Sequence, residues 1–189
     1  MLTDPRCLDI DLDRLRQSDA LFGGRIQTLA SNAFNIAAAT KDADLLVGSV
    51  LIPGALTPKL VTEAMVKTMK PGSAIVDVAI DQGGCIEPTA KHGATYHDKP
   101  TFKYPVNGGE VVCYSVGNMP GAVARTSTFT LTNATMPYMV DLANKGWKKA
   151  CQDDKALARG INTYDGKVYF KGVSDALGYE LHCTCDILK

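Results

Sequence analysis

The sequence has no apolar run long enough to cross a membrane and no excess of charge of either sign. Its 20 basic residues balance its 20 acidic residues, so no net field would attract nucleic acid or an anionic membrane. The first residues lack the basic and apolar regions of a secretory signal peptide, which predicts a cytoplasmic protein. With 46% hydrophobic residues among 189, the chain can build one domain with a buried core, or one and a half.

The six cysteines show neither the pattern of a disulfide-rich domain nor that of a metal site. Most of them lie within apolar stretches, where cysteine acts as a reduced core residue. Cys183 and Cys185 form the one close pair, with His182 beside them, but no second cluster completes four ligands. We therefore expect no metal. A Gly-x-Ser-x-Gly motif is also missing, so a hydrolase triad has no support.

A glycine-rich GxGxxG turn, which holds the pyrophosphate of a dinucleotide at a helix N-terminus, is absent as well. Such folds also carry an acidic residue about 20 residues later that binds the ribose hydroxyls. Asp9, at the end of a strand predicted over residues 6–10, occupies that place. By position alone, Asp9 is equally well a surface residue at the start of the next helix.

The sequence does contain predicted strands that alternate with predicted helices. Such an alternation is typical of βαβ units and predicts an α/β fold with a parallel sheet. The predicted strands cover residues 6–10, 25–29, 44–50, 75–80 and 111–116, and the predicted helices cover 11–21, 33–41 and 62–70. Residues 86–109 are rich in Pro, Gly and polar side chains, so we expect a long surface excursion there.

Beyond about residue 124 the pattern becomes mainly helical. A long helix is predicted over residues 127–144, with a kink at Pro137 and an end at Gly146. One stripe of this helix carries Leu131, Thr135, Met139 and Leu142. Shorter helices are predicted over 147–151, 154–157 and 173–177, with a hairpin around Asp165 and Gly166.

The stretch around residues 74–85 organises the first part of the chain. An apolar run from Ala74 to Ile80, broken only by Asp77, predicts a buried strand that leads into Asp81 and two glycines. Glycine-containing loops also follow two other predicted strands, at residues 48–54 and 117–121. Because parallel strands end at one edge, where open α/β sheets bind ligands, the three loops together predict a nucleotide site. Each loop alone is also compatible with a tight turn.

Seven strings spread along the chain are similar to one family. They are VGSVLIPG at 47–54, PKLV at 58–61, MKPGS at 69–73, VDVAIDQGGC at 76–85, NMPGAV at 118–123, RTST at 125–128 and LTNAT at 131–135. On these strings the chain resembles the C-terminal portion of the alanine dehydrogenase family, which also includes the pyridine nucleotide transhydrogenases.

This resemblance implies NAD-dependent oxidative deamination of L-alanine to pyruvate and ammonium, within a homo-oligomer that is usually a hexamer. It implies an NAD-binding Rossmann domain over residues 1–124, and a helical segment over 125–189 that returns to the substrate domain. Asp81 matches the carboxylate of the family that acts in proton transfer. The positions that match cofactor-binding residues are Asp9, Arg14, Ser31, Val50, Leu60, Val116, Asn118 and Met119.

The chain also departs from the family, because the resemblance begins after the substrate domain, the first strand and the glycine-rich turn. We therefore expect a fragment with a partial Rossmann-like parallel sheet and with low or no activity alone. A complementary N-terminal chain would then be a partner. Two alternatives remain open: a non-catalytic cofactor-binding or interaction remnant, and the NAD-binding subunit of a transhydrogenase.

Overall fold

Two units of mixed α/β structure make up the protein, as seen in a computed structural model that describes residues 4–52 and 56–189. One unit contains the residues up to Leu51 and Thr57–Gly117, and the other contains Asn118–Lys189. The sheet is mainly parallel and the C-terminal part is mainly helical, which confirms the predicted fold class.

A two-stranded parallel sheet opens the first unit. Its elements are β1 (Arg6–Asp9), α1 (Leu12–Phe22), β2 (Gln27–Ala30) and α2 (Ala33–Asp42). The side chain of Asp11 caps α1 by accepting hydrogen bonds from two backbone N–H groups, and the side chain of Asn32 caps α2 by accepting one from the Asn35 N–H. Both helices start where the sequence predicts, because these short polar side chains satisfy N–H groups that the first helical turn leaves unpaired.

A four-stranded sheet with the order β3-β4-β6-β5 forms the rest of the first unit. Strands β3, β4 and β6 are parallel, and β5 is antiparallel to β6. The core lies against β4 and β6, where Ile75, Val111 and Cys113 are fully buried. The elements are β3 (Leu45–Gly48), α3 (Glu63–Val66), β4 (Ala74–Asp77), α4 (Glu87–His92), β5 (Thr101–Val106) and β6 (Gly109–Tyr114).

Residues 86–109 do not form the surface excursion that we predicted. They contain α4 and the edge strand β5, which pairs with β6 from Thr101 opposite Tyr114 to Val106 opposite Gly109. The alternate side chains Phe102, Tyr104 and Val106 pack against the core. Burial of this apolar row outweighs the turn-forming tendency of the prolines and glycines around it.

Strand β4 ends three residues earlier than the sequence suggested. It stops at Asp77, and a 3₁₀ helix over Val78–Gln82 follows. Ala79 and Ile80 are buried in that helix, whereas Val78 is 45% exposed, so the apolar run spans two elements and is only partly buried. The carboxylate at the end of the strand is therefore that of Asp77, and Asp81 lies one helical turn further along the chain.

The second unit consists of helices and one small hairpin. A 3₁₀ helix over Met119–Val123 leads into α5 (Ala124–Asp153), which is followed by α6 (Lys155–Arg159), β7 (Thr163–Tyr164), β8 (Lys167–Val168) and α7 (Lys171–Leu177). The backbone stays helical at Pro137, where we predicted a kink, and departs from helical geometry at Gly146. A disulfide joins Cys183 and Cys185, and no helix in the described ranges is long and apolar enough to span a bilayer.

Candidate active site

Asp81 lies at the edge of the first unit where the parallel strands β4 and β6 end. It belongs to the 3₁₀ helix that follows β4, and we call residues 78–85 the Asp81 loop. A Cβ atom added to Gly117, three residues beyond β6, would come within 3.1 Å of Asp81 Oδ1. The carboxylate thus lies close to the Gly117 backbone, at the edge where parallel sheets bind ligands.

Asp77, the last residue of β4, is fully buried and holds the end of the Asp81 loop. Its Oδ2 accepts hydrogen bonds from the Cys85 N–H at 3.1 Å, the Ile86 N–H at 3.2 Å and the Thr89 hydroxyl at 2.5 Å. A buried carboxylate is stable only when such donors replace the water that it has lost. The three bonds therefore tie the loop to the sheet.

Residues 57–61 bind the same loop through its carbonyl groups. Four consecutive carbonyl oxygens, those of residues 82–85, accept hydrogen bonds from this segment. The pairs are the Thr57 N–H with Gln82 at 3.0 Å, the Lys59 ammonium with Gly83 and Gly84 at 2.6 Å each, and the Leu60 N–H with Cys85 at 2.9 Å. Every peptide carbonyl of this stretch is thus satisfied by protein groups.

Cys85 lies beside Asp77 but does not form a reactive centre. Burial and the negative charge of Asp77 raise the pKa of its thiol to about 11. Because only the thiolate is a strong nucleophile, Cys85 stays inert at neutral pH and serves as a core residue.

Three of the predicted cofactor-binding residues lie around the four-stranded sheet. Val50 is half-buried and packs against the core, and the Leu60 N–H binds the Asp81 loop. Val116 is fully buried and forms a parallel bridge with Thr95, so its side chain supports the sheet edge. The structure therefore places these three residues and Asp81 around the same sheet.

Asp9 and Ser31 lie together at the end of the two-stranded sheet, and Arg14 lies in the first turn of α1 beside Asp11. The carbonyl of Asp9 accepts a hydrogen bond from the Ser31 N–H at 2.8 Å, and Asp9 Oδ1 accepts one from the Asp11 N–H at 2.9 Å. Arg14 Nε lies 3.5 Å from the carboxylate of Asp11. Asp9 is thus a half-buried acid at the C-terminal end of a parallel strand, as predicted from its position.

Asn118 and Met119 belong to the second unit. Asn118 adopts a left-handed backbone conformation with φ of 56°, and Met119 begins the 3₁₀ helix that precedes α5. Asparagine tolerates this conformation better than most residues, which accounts for its place at the turn.

Sequence reasoning missed Asp77 and Lys59 as candidate residues. Asp77 was visible as a lone carboxylate within an apolar run, a pattern that requires buried donors nearby. Lys59 carried no comparable signal, because its two carbonyl partners lie 24 and 25 residues further along the chain.

Comparisons with known proteins identify a family. A sequence profile described as "Alanine dehydrogenase/PNT, C-terminal domain" matches residues 3–171. Over 182 residues the chain is 97% identical to an alanine dehydrogenase of Bilophila wadsworthia (strain 3_1_6), covering 96% of this chain and 48% of that protein. An alanine dehydrogenase of Bacillus subtilis (strain 168) is 57% identical over 177 residues, covering 94% of this chain and 45% of that protein.

Solved structures agree with the sequence comparisons. An L-alanine dehydrogenase superimposes with a TM-score of 0.75 at 42% identity, covering 98% of this chain and 47% of the other. A transhydrogenase from Sinorhizobium meliloti has a TM-score of 0.62 at 23% identity over 88% of this chain and 42% of its own, and it shows a shared fold alone. The chain spans about half the length of the curated relatives it matches. It belongs to the alanine dehydrogenase/PNT family and corresponds to the C-terminal domain of that family.

Proposed function

We propose that this chain provides the cofactor-binding part of an NAD-dependent alanine dehydrogenase, which converts L-alanine to pyruvate and ammonium. The observation that carries the proposal is the position of Asp81 at the ligand-binding edge of the sheet, in a chain 97% identical to an alanine dehydrogenase over 182 residues. In this proposal residues 1–124 bind NAD, and residues 125–189 form the helical segment that joins the substrate domain.

The residues present fit the adenosine end of NAD, the cofactor that members of this family use. Asp9 ends a parallel strand beside Ser31, where an acid can accept hydrogen bonds from ribose hydroxyls. Bound NAD would take up the hydride that leaves the substrate carbon. The further residues that we propose to contact NAD are Arg14, Val50, Leu60, Val116, Asn118 and Met119.

Asp81 is the residue that we propose to move protons. Deamination requires that protons leave both the amine and the attacking water, and a positioned carboxylate at the sheet edge can accept them. Its place beside Gly117, at the edge of the sheet where β4 and β6 end, supports this role.

Replacement of Asp81 in the full-length Bilophila wadsworthia relative tests the proposal. We expect Asp81→Asn to lower the turnover of L-alanine by about 10²- to 10⁴-fold, since the amide cannot accept a proton, with little change in NAD affinity. Turnover is measured as NADH formation, and NAD affinity by titration. Asp44→Asn, which alters an exposed carboxylate paired with Lys70, is the matched control. Unchanged turnover in Asp81→Asn would remove this residue from the mechanism.

The second candidate function is a non-catalytic interaction module. The observation that favours it is the exposed apolar surface of α5, formed by Phe129, Leu131, Met136, Tyr138, Met139 and Val140. This surface would join the chain to other subunits of a homo-oligomer. A sedimentation measurement that shows only a monomer, with no bound cofactor, would count against this candidate. The transhydrogenase alternative is supported by the shared fold alone.

A further inference from the structure

We propose that Asp77 and Lys59 are positioning residues that hold the Asp81 loop between two opposite charges and thereby set the place of the Asp81 carboxylate. The inference rests on the proposed role of Asp81. Neither Asp77 nor Lys59 is among the positions that match the family's cofactor-binding or catalytic residues. Both are identified by their hydrogen bonds within this chain.

The two charged groups bind complementary parts of one peptide segment. The carboxylate of Asp77 accepts from N–H groups at the end of the loop, and the ammonium of Lys59 donates to the carbonyls of Gly83 and Gly84. Hydrogen bonds to charged groups are stronger than those between neutral groups. A shift of the loop in either direction would therefore break bonds on both sides.

Gly84 shows how closely the loop is packed between these groups. Its φ of 75° lies in the left-handed region, and an added Cβ would come within 2.7 Å of Asp77 Oδ2. The backbone of the loop thus approaches the carboxylate at a distance that leaves no room for a side chain.

Asp81 directly precedes the first carbonyl that residues 57–61 hold, that of Gln82. Its carboxylate also lies against Gly117, so a displaced loop would carry the carboxylate away from the sheet edge. Misplacement of a catalytic group by about 1 Å can lower a reaction rate about 100-fold. The two holding residues can therefore control turnover without contact with substrate.

The first experiment uses Lys59 variants of the full-length Bilophila wadsworthia relative, because Lys59 is exposed and its loss should not prevent folding. We expect Lys59→Met to lower kcat about 100-fold with an unchanged Kd for NAD. Lys59→Arg should recover most of this loss, since a guanidinium can donate to both carbonyls. Lys70→Met, which removes an exposed lysine paired with Asp44, should leave kcat unchanged.

The second experiment measures amide hydrogen exchange in the present chain. We expect the N–H groups of Cys85 and Ile86 to exchange faster in Lys59→Met than in the unaltered chain, because the loop opens more often. Thr89→Val, which removes a hydroxyl donor to Asp77, should act in the same direction. Asp77→Asn is the more severe change, because the fully buried amide would face the same N–H donors with only one acceptor oxygen.

The outcomes separate this inference from the proposed function. If Lys59→Met leaves kcat unchanged while Asp81→Asn lowers it, the positioning role is wrong and the role of Asp81 stands. If both variants leave kcat unchanged, the role of Asp81 is wrong and the positioning role falls with it. A lower kcat in Lys59→Met without faster amide exchange would assign Lys59 a direct contact with the reactants, which also overturns the inference.

Discussion

Glu63 is a carboxylate that joins several elements of the first unit. Its oxygens lie 2.6 Å from the Lys91 ammonium and 3.2 Å from the Lys67 ammonium, and it also accepts a hydrogen bond from Tyr104. These contacts, with Lys91 the largest contributor, lower the pKa of Glu63 to about 2. They connect α3, α4 and β5 at the surface of the four-stranded sheet.

This pKa predicts how stability depends on pH. Because the pKa of Glu63 falls from an ordinary value of 4.5 to about 2 on folding, its contribution is fully present above 4.5 and is lost as the pH falls toward 2. We expect Glu63→Gln to reduce the loss of stability between about pH 5 and pH 3, by a small amount because the group is partly exposed. The measurement is the midpoint of urea unfolding at each pH.

Glu110→Gln provides the comparison for this prediction, since Glu110 forms a single exposed ion pair with Lys103. If stability falls by the same amount between pH 5 and pH 3 in Glu63→Gln and in the unaltered chain, the Glu63 contacts do not persist in solution.

The sequence predicted that Asp81 lies at the edge of the sheet, but it predicted a strand where the structure has a 3₁₀ helix. The apolar side chains of Ala79 and Ile80 fit a buried strand as well as a buried 3₁₀ turn, since hydrophobicity indicates burial and not dihedral angles. The hydrogen bonds that Asp77 accepts from residues 85, 86 and 89 join chain segments that meet only after folding. Local patterns carry no signal for such contacts.

At the level of secondary structure, β5 carries two opposing local signals, one for a strand and one for a loop. Phe102, Tyr104 and Val106 alternate with polar residues, as expected for a half-buried strand. Pro105 and the glycines that follow argued for a loop instead. The strand lies at the end of the sheet order, where proline is tolerated because one side of the strand need not donate hydrogen bonds.

The break within α5 yields a prediction for this element. Gly146 has φ of 72° and ψ of 158°, a combination that residues with a side chain strongly avoid. We expect Gly146→Ala to lower the free energy of unfolding by about 1–3 kcal/mol, through backbone strain alone, since no atom lies within 4 Å of the new Cβ. Lys148→Ala, a change in the exposed helical surface next to it, is the control for thermal unfolding. Equal melting temperatures for the two variants would mean that the helix simply straightens through residue 146.

On the scale of the whole molecule, the strands of the first unit form two sheets with open edges. Within residues 4–52 and 56–189, β1 pairs only with β2, and the outer edge of β3 is unpaired. Leu45 and Val47 of β3 are 41% and 53% exposed, although they are apolar residues of a parallel strand. Such strands are normally covered on both faces.

A complementation experiment tests whether a second chain covers these surfaces. We expect the part of the Bilophila wadsworthia relative outside the 182-residue match to restore NADH formation from L-alanine when it is refolded with this chain. The present chain alone should produce none. The same mixture with Asp81→Asn is the control and should remain inactive. Steady NADH formation by the present chain alone would contradict the prediction.

The distribution of thiols offers a way to observe such an assembly without measuring catalytic turnover at Asp81. Burial raises the pKa of Cys85, Cys113 and Cys151, and the remaining pair is already oxidised, so Cys7 is the thiol most open to alkylation. Cys7 lies in β1, on an open strand. A fluorophore coupled there would change its emission when another strand docks alongside, and would report assembly in the absence of turnover.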